Sequence, residues 1–485
     1  MEEVGPNFYR MGGLLWIIRN WRARSRKNGA VCRWRRWPLC CPTKPSRQPA
    51  CAWGIAGGKA LFPPAAAVRS QLFRALSPDR SIRNAVSQLA VDGSLAKPVS
   101  ESAWDQARAR LPEALLPELA RQVAAGTAAE FPSRWLGREV FLVDGTTVSM
   151  PDEPSLVKEF GYCDSKHGPS RFPTARLLAI LHGGTRQAVD FRLAHYRTSE
   201  LALFRELLPT LPPDAVWVGD RYFSSSIEFV LSQRVGVDFL TRLHQRRDGR
   251  LLARTGTRLG RDDWRVSLEI SSPVRKKHAE LVLPDEIEAR LIRVRYKTPW
   301  GEKRTVWLVT SLLNERQFPR EALIQLYRSR WGIETHYAYL KTTLQMAVLR
   351  SKTPQNIRKE VAAILLAHNL VWRLMHEAAK AADERDNGAA GDDGKEFDEK
   401  TEEACELTAE RLSFTGAARA ALAYSAKLRF AADGDERAAI YREMLAHIAQ
   451  LRIPHRPGRH EPRLRKRDVQ TFAVLRVSRA EARRC

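Results

Sequence analysis

Short apolar runs alternate with helical patterns between residues 139 and 242, and this alternation limits the fold more than any other feature of the sequence. Runs rich in Val, Ile, Leu and Phe are typical of strands, and apolar residues three and four apart are typical of helices. Strands separated by helices indicate an α/β core. The predicted strands are 139–143, 174–181, 187–194, 215–219 and 238–242, and the predicted helices are 199–208 and 224–233.

A β-rich block follows this alternation. Strands are predicted at 266–270, 289–296 and 304–310, and helical patterns resume at Pro319. A run of strands before a return to helices indicates an insertion into the core. We therefore predict an α/β core over residues 131–382 with a β-rich insertion at about 245–312.

Residues 1–65 differ from the rest of the chain in composition. They contain five of the 13 Trp and four of the seven Cys residues, and their side chains carry a net charge of about +10. No helical or strand period is present. One interpretation is a basic, aromatic arm that grips DNA. The other is a disordered extension that arises from a misassigned start codon.

Residues 66–130 have the pattern of helices. The sequence Ser77-Pro78-Asp79 is typical of a helix start, and Ser100-Glu101 is typical of another. Small basic helical modules often bind DNA, and they often only pack against a core. We predict a helical DNA-binding segment here and keep packing as the alternative.

The C-terminal part divides at an acidic stretch. Residues 383–406 contain eleven acidic and three basic residues, which is typical of a solvated linker. Residues 407–485 are predicted to form further helices and a basic tail. Seven Lys and Arg residues lie within 452–467, a pattern that suits contact with a polyanion.

The charge of the whole chain indicates a polyanionic partner. The 80 Lys and Arg residues exceed the 55 Asp and Glu residues by 25, and the pI is about 10.2. Such a charge favours nucleic acid as the partner. A membrane span needs about 18 apolar residues, and no run approaches that length. The cysteine spacing does not predict a zinc site. We expect a cytoplasmic, nucleoid-associated protein.

Two carboxylates come directly after apolar strands. Asp144 follows the strand predicted at 139–143, and Asp220 follows the strand predicted at 215–219. Sites in open α/β sheets form at the carboxyl ends of strands, so neighbouring parallel strands would bring these side chains together. Adjacent carboxylates repel each other, and a divalent cation such as Mg²⁺ would relieve the repulsion. A turn or cap role is the alternative for either residue alone.

A polar stripe marks the predicted helix at 327–341. Tyr327, Arg330, Glu334 and Lys341 are offset by 0, 3, 7 and 14 residues. At 3.6 residues per turn they lie within an arc of about 60°. The stripe offers one metal ligand and three groups that can contact phosphate. A solvated salt-bridge face is the alternative, because Arg330 and Glu334 are four residues apart.

This pattern resembles a known family. The spacing of Tyr327, Arg330, Glu334 and Lys341 is similar to the Tyr-Arg-Glu-Lys signature of one class of DDE transposases of bacterial insertion sequences. The stretches Leu142-Val143-Asp144-Gly145-Thr146-Thr147, Gly219-Asp220-Arg221-Tyr222-Phe223 and His455-Arg456-Pro457-Gly458-Arg459 look like them too. The resemblance covers about residues 70–470, and it implies a ribonuclease-H-like fold with a β-rich insertion.

The resemblance also implies a function. Asp144, Asp220 and Glu334 would be the catalytic, metal-binding triad, holding two Mg²⁺ ions or Mn²⁺ in their place. Arg330, Lys341 and Tyr327 would contact DNA near the cleavage site. The expected activity is metal-dependent cleavage and strand transfer on double-stranded transposon ends and target DNA. A homodimer is expected in the synaptic complex, with the helices after residue 351 as candidates for its interface.

Weaker signals leave alternatives open. Trp264 could stack on a flipped base, or it could be a core residue. Arg221 could touch DNA, or it could pair with Glu334. A tyrosine-type recombinase, with a covalent tyrosine and no metal requirement, is one rival function. An inactive remnant that only binds DNA is the other.

Overall fold

A ten-stranded mixed sheet forms the centre of the protein in the computed structural model, which describes residues 62–91, 95, 99–165, 168–297, 301–389 and 408–454. The strands are β1 (Val140–Ser149), β2 (Tyr162–Ser165), β3 (Gly168–His182), β4 (Ala188–His195), β5 (Val216–Gly219), β6 (Asp238–Arg242), β7 (Thr257–Gly260), β8 (Asp263–Glu269), β9 (Glu286–Lys297) and β10 (Lys303–Thr310). Their order in the sheet is β2-β3-β1-β5-β6-β10-β9-β8-β7, and β4 also pairs with β3.

The helices follow the predicted patterns closely. Serine caps start two of them, because Ser100 Oγ accepts a hydrogen bond from Ala103 N–H and Ser199 Oγ accepts one from Ala202 N–H. The α-helices are α1 (Pro64–Leu76), α2 (Ile82–Val91), α3 (Glu101–Arg110), α4 (Leu115–Glu130), α5 (Pro154–Phe160), α6 (Glu200–Leu207), α7 (Ser226–Arg234), α8 (Gly249–Thr255), α9 (Ser272–Lys277), α10 (Arg320–Ser329), α11 (Trp331–Ala338), α12 (Pro354–Ala389), α13 (Phe414–Phe430) and α14 (Gly434–Gln450).

Both faces of the central strands are covered. Successive side chains of a strand point to opposite faces, and along β1 Phe141 and Val143 belong to one buried cluster while Val140 and Leu142 belong to another. Helices α6 and α7 contribute to the first cluster, and α12 contributes to the second. The α/β class predicted from the alternating pattern is therefore confirmed.

The predicted β-rich insertion continues the central sheet. β10 pairs antiparallel with β6, and β9, β8 and β7 extend the sheet outward from β10. Within the centre, β1, β5 and β6 run parallel, while β3 and β4 run antiparallel to their neighbours.

Strand β1 is longer than predicted, and Asp144 lies inside it. The prediction ended the strand at residue 143, but β1 continues to Ser149. Pairing with β5 stops at Leu142, whereas pairing with the long strand β3 continues to Ser149. The antiparallel partner keeps the chain extended past Gly145, which is why the end predicted at residue 143 is wrong.

The N-terminal helices are built into the core. Residues 66–76 of α1 are all buried, and Phe62, which precedes the helix, is 4% exposed. Helix α1 thus begins two residues before the predicted boundary at residue 66. Helices α1 and α4 both pack against α12. DNA contact by the segment 66–130 stays a prediction, and the buried faces of α1 are not available for it.

The long helix α12 lies at the centre of the second buried cluster, which also contains Val140 and Leu142. Its 36 residues include an almost continuous buried stretch from Val361 to Met375. The prediction of a linker from residue 383 overlaps this helix, which ends at Ala389. Much of α12 is buried in the core. Among the described helices after residue 351, α13 and α14 therefore remain candidates for a subunit interface. Most of the basic tail, from residue 455 onward, the rest of the linker and residues 1–61 lie outside the described residues.

None of the helices in the described part of the chain is long and apolar enough to span a membrane.

The buried Phe62 leads to a prediction about truncation. A chain that starts at residue 62 should unfold with the same free energy as the full chain, whereas a chain that starts at residue 66 should lose about 2 kcal/mol, because it exposes the site that Phe62 fills. Urea unfolding of the two truncated proteins measures the difference. Equal free energies for both would show that Phe62 does not contribute, and weaker DNA binding by the first would support the arm interpretation of residues 1–61.

Candidate active site

The register of two parallel strands places Asp144 beside Asp220. Leu142 of β1 is opposite Val218 of β5, and each aspartate lies two residues beyond that pair. Asp220 starts a short 3₁₀ turn at residues 221–223, and its Oδ1 accepts a hydrogen bond from Tyr222 N–H at 2.8 Å. The expected juxtaposition of Asp144 and Asp220 is therefore present, although Asp144 lies inside β1 and only Asp220 follows its strand.

The environment of Asp144 disfavours its charge. Burial raises the pKa of Asp144 to about 6, with a hydrogen bond from Gly145 N–H and the charge of Arg330 opposing the rise. The negative charges of Asp220 and Glu200 raise it further. A buried carboxylate with two negative neighbours is stabilised by either a proton or a cation.

The signature segment, residues 327–341, is not one uninterrupted α-helix. Helix α10 ends at Ser329, α11 starts at Trp331, and residues 339–343 form a π-helical turn. π-Helical turns are frequent at functional sites. The segment is joined directly to β1, because the Tyr337 hydroxyl donates a hydrogen bond of 2.6 Å to the carbonyl oxygen of Asp144.

Three residues of the signature gather around the aspartates. Arg330 is 11% exposed, and its guanidinium carbon lies 5.8 Å from the centre of the Tyr327 ring. Burial raises the pKa of Tyr327, against the charges of Arg330 and Arg242, and Asp220 adds to the rise. Burial lowers the pKa of Lys341, and the charge of Asp144 opposes that effect. Tyr327, Arg330 and Lys341 thus lie within electrostatic reach of the two aspartates.

The side chain of Glu334 is more exposed to solvent than those of Asp144 and Asp220. Its side chain is 55% exposed, and its Oε1 is 3.8 Å from Arg330 Nη2. Within the described residues, no group of three His, Cys, Asp or Glu side chains is close enough to hold a metal ion. The structure therefore brings Asp144 and Asp220 together and connects Glu334 to them through Arg330. The metal-binding role of the triad stays a prediction.

A small basic cleft lies next to Asp220. It has a volume of about 140 Å³ and is lined by polar, basic and aromatic side chains of β6, β10 and the connecting loops. Burial lowers the pKa of His244 in this cleft, and Arg246, Arg221 and Arg247 lower it further. The lining residues are Arg221, Arg242, Leu243, His244, Gln245, Arg247, Thr305, Val306 and Trp307. The exposed Arg221 therefore faces a site suited to an anion.

Trp264 does not line this cleft. Its ring lies 5.8 Å from the ring of Trp307, and the Arg293 guanidinium stacks 5.3 Å from the centre of Trp264. Trp264 is half-buried and packs against the apolar cluster below the sheet. Trp307, and not Trp264, lines the cleft, and DNA contact by Trp264 stays a prediction.

Several residues of the site were not predicted as site residues. Tyr337 lies three residues after Glu334, Glu200 was recognised only as part of a helix start, and Arg242 and Trp307 were parts of predicted strands. Arg242 ends the strand beside β5, so the rule that placed Asp220 at a strand end could have indicated it. Trp307 and Glu200 depend on pairing between distant segments, which no local pattern reveals.

The chain is similar to known transposases in sequence. A family model described as Transposase DDE domain matches residues 135–370. The transposase InsG for insertion sequence element IS4 of Escherichia coli is 26% identical over 296 residues, which are 58% of this chain and 62% of that protein. The putative transposase InsZ of the same organism is 30% identical over 140 residues, or 28% of this chain and 47% of that protein. The chain thus matches less than two thirds of the length of these curated relatives.

A solved structure is also similar, at a lower level. The cryo-EM structure of a piggyBac transposase synaptic complex with hairpin DNA has 11% sequence identity and a TM-score of 0.35, over 93% of this chain and 85% of that chain. A TM-score of this size does not establish a common fold.

Proposed function

The chain belongs to the DDE transposase family of insertion sequences, and we propose that it cuts DNA at the ends of such an element and joins those ends to target DNA. One observation carries the proposal. The β1–β5 register aligns Asp144 with Asp220, and the signature segment adds two cations and a tyrosine around them. A site with this composition suits phosphoryl transfer on a polyanion.

The topology supports a ribonuclease-H-like core for the catalytic domain. Three antiparallel strands, β4, β3 and β1, are followed in the sheet by β5 and β6, which run parallel to β1. We propose that this core lies within residues 131–382, with the β-rich insertion at 245–312 forming its outer strands. Segments 66–130 and 407–485 are proposed to flank it.

The donor set fits a divalent cation. Asp144 and Asp220 offer carboxylate oxygens, which Mg²⁺ and Mn²⁺ prefer. Burial and the charge of Asp220 raise the pKa of Asp144, and a bound cation would oppose that rise. We propose that Asp144 and Asp220 hold Mg²⁺, or Mn²⁺ in its place, and that Glu334 completes a site for two ions. When bound, the ions would activate the attacking hydroxyl and stabilise the leaving oxygen.

The cations of the site would hold the DNA phosphates. Arg330 is positioned over Tyr327 and next to Asp144, so its guanidinium can contact the phosphate at the cleavage point. Lys341 approaches Asp144 from the π-helical turn and can contact a neighbouring phosphate. The cleft at Arg221 would accept a further phosphate of the same strand.

The remaining parts of the proposal concern partners. The expected partners are double-stranded transposon ends and target DNA, and a homodimer would form through α13 and α14, where Phe430 is 64% exposed. A tyrosine-type recombinase would cleave without metal, and an inactive remnant would bind DNA without cleaving. Dependence of nicking on Mg²⁺ separates these functions.

Replacement of Lys341 by alanine should weaken binding to transposon-end DNA and to random DNA by similar factors. Loss of one phosphate contact should make the slope of log K against log salt shallower by about one unit, because one counterion fewer is released. Arg330→Ala should change the slope similarly and should lower the cleavage rate more, since its charge lies closer to the reacting phosphate. Fluorescence anisotropy over a salt series gives the slopes.

Lys380→Ala provides the matched control. Lys380 is 56% exposed on α12 and pairs with Glu384, so its loss should leave the slope unchanged. If Lys341→Ala and Arg330→Ala also leave the slope and the cleavage rate unchanged, the signature segment is a surface salt-bridge face, for which loss of one partner costs under about 1 kcal/mol of stability.

A further inference from the structure

Residues 409–415 lead into α13, and we call them the supporting segment. Two backbone hydrogen bonds attach this segment to the chain that follows α14. Ser413 N–H donates to the Leu451 carbonyl oxygen, and Ile453 N–H donates to the Arg411 carbonyl oxygen, both at 2.7 Å. The supporting segment is therefore fixed to the C-terminal helices.

The supporting segment packs against the π-helical turn that carries Lys341. Phe414 is 1% exposed, and its ring stacks on the ring of Tyr339, with the ring centres 4.7 Å apart and the planes inclined by 13°. The hydroxyl oxygens of Thr415 and Thr343 are 3.0 Å apart, which is a hydrogen-bond distance. Tyr339 and Thr343 are the first and last residues of the turn, so both of its ends are in contact with the supporting segment.

A second contact reaches the signature segment between Arg330 and Glu334. Glu410 Oε1 accepts a hydrogen bond of 2.6 Å from Arg186 Nε, and the Arg186 side chain is only 10% exposed. A Cβ atom added to Gly332 would lie 3.1 Å from Arg186 Nη1 and 3.5 Å from its Cζ. The guanidinium group therefore packs against the backbone midway between the two signature residues.

The turn between β3 and β4 holds Arg186 in this place. Its φ is +60°, a conformation that is uncommon for residues other than glycine. The Asn369 side chain accepts a hydrogen bond from Ala188 N–H and donates one to the Ala188 carbonyl oxygen, each 2.8 Å long. His376 Nε2 is 3.2 Å from the Thr185 carbonyl oxygen. The turn is thus fixed to α12, and Glu410 orients the guanidinium group that projects from it.

The signature segment is therefore held by several elements. The Tyr337 hydroxyl attaches it to the carbonyl oxygen of Asp144 on β1. His336 packs against Trp372 of α12, with the ring centres 5.0 Å apart. The supporting segment and Arg186 complete this enclosure, so a change in their contacts would shift the segment relative to β1.

We propose that the supporting segment positions the signature segment in the active site. Glu410 acts through Arg186 on the placement of Glu334, and the contacts at the π-helical turn determine the placement of Lys341. The inference rests on the proposed function, since it concerns the catalytic role of Glu334 and the phosphate contact of Lys341. Contacts that served stability alone would, when lost, lower the free energy of unfolding without a selective change in cleavage rate or in the salt dependence of DNA binding.

Glu410→Gln tests the first contact, because it keeps the size of the side chain and removes its charge. The single-turnover cleavage rate at saturating transposon-end DNA should fall about tenfold, since a small displacement of a catalytic group has a large effect on rate. Affinity for the DNA should change little. Arg186→Gln should lower the rate similarly, the double variant should lower it no further, and Arg186→Lys, which keeps the charge, should retain more activity.

Phe414→Leu and Thr415→Val test the second contact. Each should weaken binding to transposon-end DNA and make the slope of log K against log salt shallower, although neither removes a charge, because Lys341 would lose its phosphate. Fluorescence anisotropy over a salt series measures the slope. Thr415→Val keeps the shape of the side chain, so it provides the test if Phe414→Leu is too unstable to purify.

Asp238→Asn is the matched control for the loss of a paired carboxylate. Asp238 lies at the end of β6 opposite to Arg242 and pairs with Arg138 at 2.7 Å, and the two side chains are 22% and 20% exposed. Its cleavage rate and salt slope should match those of the unmodified protein under conditions in which urea unfolding shows every variant to be folded.

Unchanged cleavage by Glu410→Gln would overturn the inference, and so would an unchanged salt slope in the variants of the π-helical contact. Equal losses of rate in Glu410→Gln and Asp238→Asn would also overturn it, because they indicate general destabilisation. The proposed function stands in each of these cases. If the unmodified protein does not cleave transposon-end DNA in Mg²⁺, the proposed function itself fails.

Discussion

Variants Asp144→Asn, Asp220→Asn and Glu334→Gln are each expected to lose strand cleavage on the order of a thousandfold or more while they still bind transposon-end DNA. Each change keeps the size of the side chain and removes the charge that would hold a cation. DNA affinity should persist, because the proposed phosphate contacts come from Arg330, Lys341 and the basic cleft. Nicking of a labelled end duplex in Mg²⁺, measured beside a gel-shift assay, separates the two effects.

Glu321→Gln is a suitable control for this series. Glu321 lies on α10, close in sequence to the signature segment, and its side chain is 74% exposed. Its replacement should leave cleavage unchanged. Nicking close to that of the unmodified protein in any of the three variants would remove that residue from the catalytic site. The outcome for Glu334 is the most informative, because its carboxylate is the exposed member of the three.

The part of the site that could be predicted depends on local patterns. Asp144 and Asp220 follow short apolar runs, and the signature spacing places four side chains on one side of a helical segment. Such features depend on residues that are close together in the sequence, so they can be predicted without knowledge of tertiary contacts. Ser100 and Ser199 mark helix starts for the same reason, since a cap is made within one helical turn.

The features that were missed depend on pairing between distant segments. β1 extends past Asp144 because β3 pairs with it as far as Ser149. Trp307 reaches the cleft, and Trp264 does not, because β10 lies between β6 and β9 in the sheet. Glu200 meets Gly145 through the packing of α6 against the central strands. In each case the local sequence pattern allows more than one position for the side chain or strand end, and contacts with distant segments determine which one is adopted.

A buried ion pair links the N-terminal helices to the loop that follows the signature segment. Glu360 of α12 pairs with Arg80 at 2.9 Å, and both side chains are almost fully buried. Glu360 also accepts hydrogen bonds from the Arg350 and Ser351 N–H groups, while Arg80 Nη1 donates one to the Gln345 carbonyl oxygen at 2.7 Å. Gln345 has a φ of +50°, a strained conformation that these contacts maintain.

The loop held by this pair also fixes the end of β1. Ser149 N–H donates to the Ala347 carbonyl oxygen, and Leu349 N–H donates to the Ser149 carbonyl oxygen at 2.8 Å. The loop that follows Lys341 is therefore hydrogen-bonded to the end of the strand that carries Asp144. Loss of the Arg80–Glu360 pair should lower the stability of the protein first and change the geometry of the site second.

Glu360→Ala is expected to lower the free energy of unfolding by about 3–5 kcal/mol, because it leaves the buried Arg80 without its partner. Burial raises the pKa of Glu360, but Arg74, Arg80 and the hydrogen bonds from Ser351 outweigh it, so the pKa lies below its ordinary value. The stabilisation is therefore complete at neutral pH and is lost as the pH falls through the lowered pKa. Urea unfolding at pH 7 measures the full effect.

The exposed pair Arg83–Glu101 supplies the comparison, since its side chains are 87% and 49% exposed. Arg83→Ala should cost under about 1 kcal/mol. A loss of that small size for Glu360→Ala would mean that water reaches Arg80 and that the N-terminal helices do not clamp the loop. A large loss of stability, with cleavage reduced under conditions where the variant is still folded, would connect the N-terminal helices to the placement of Lys341 and Asp144.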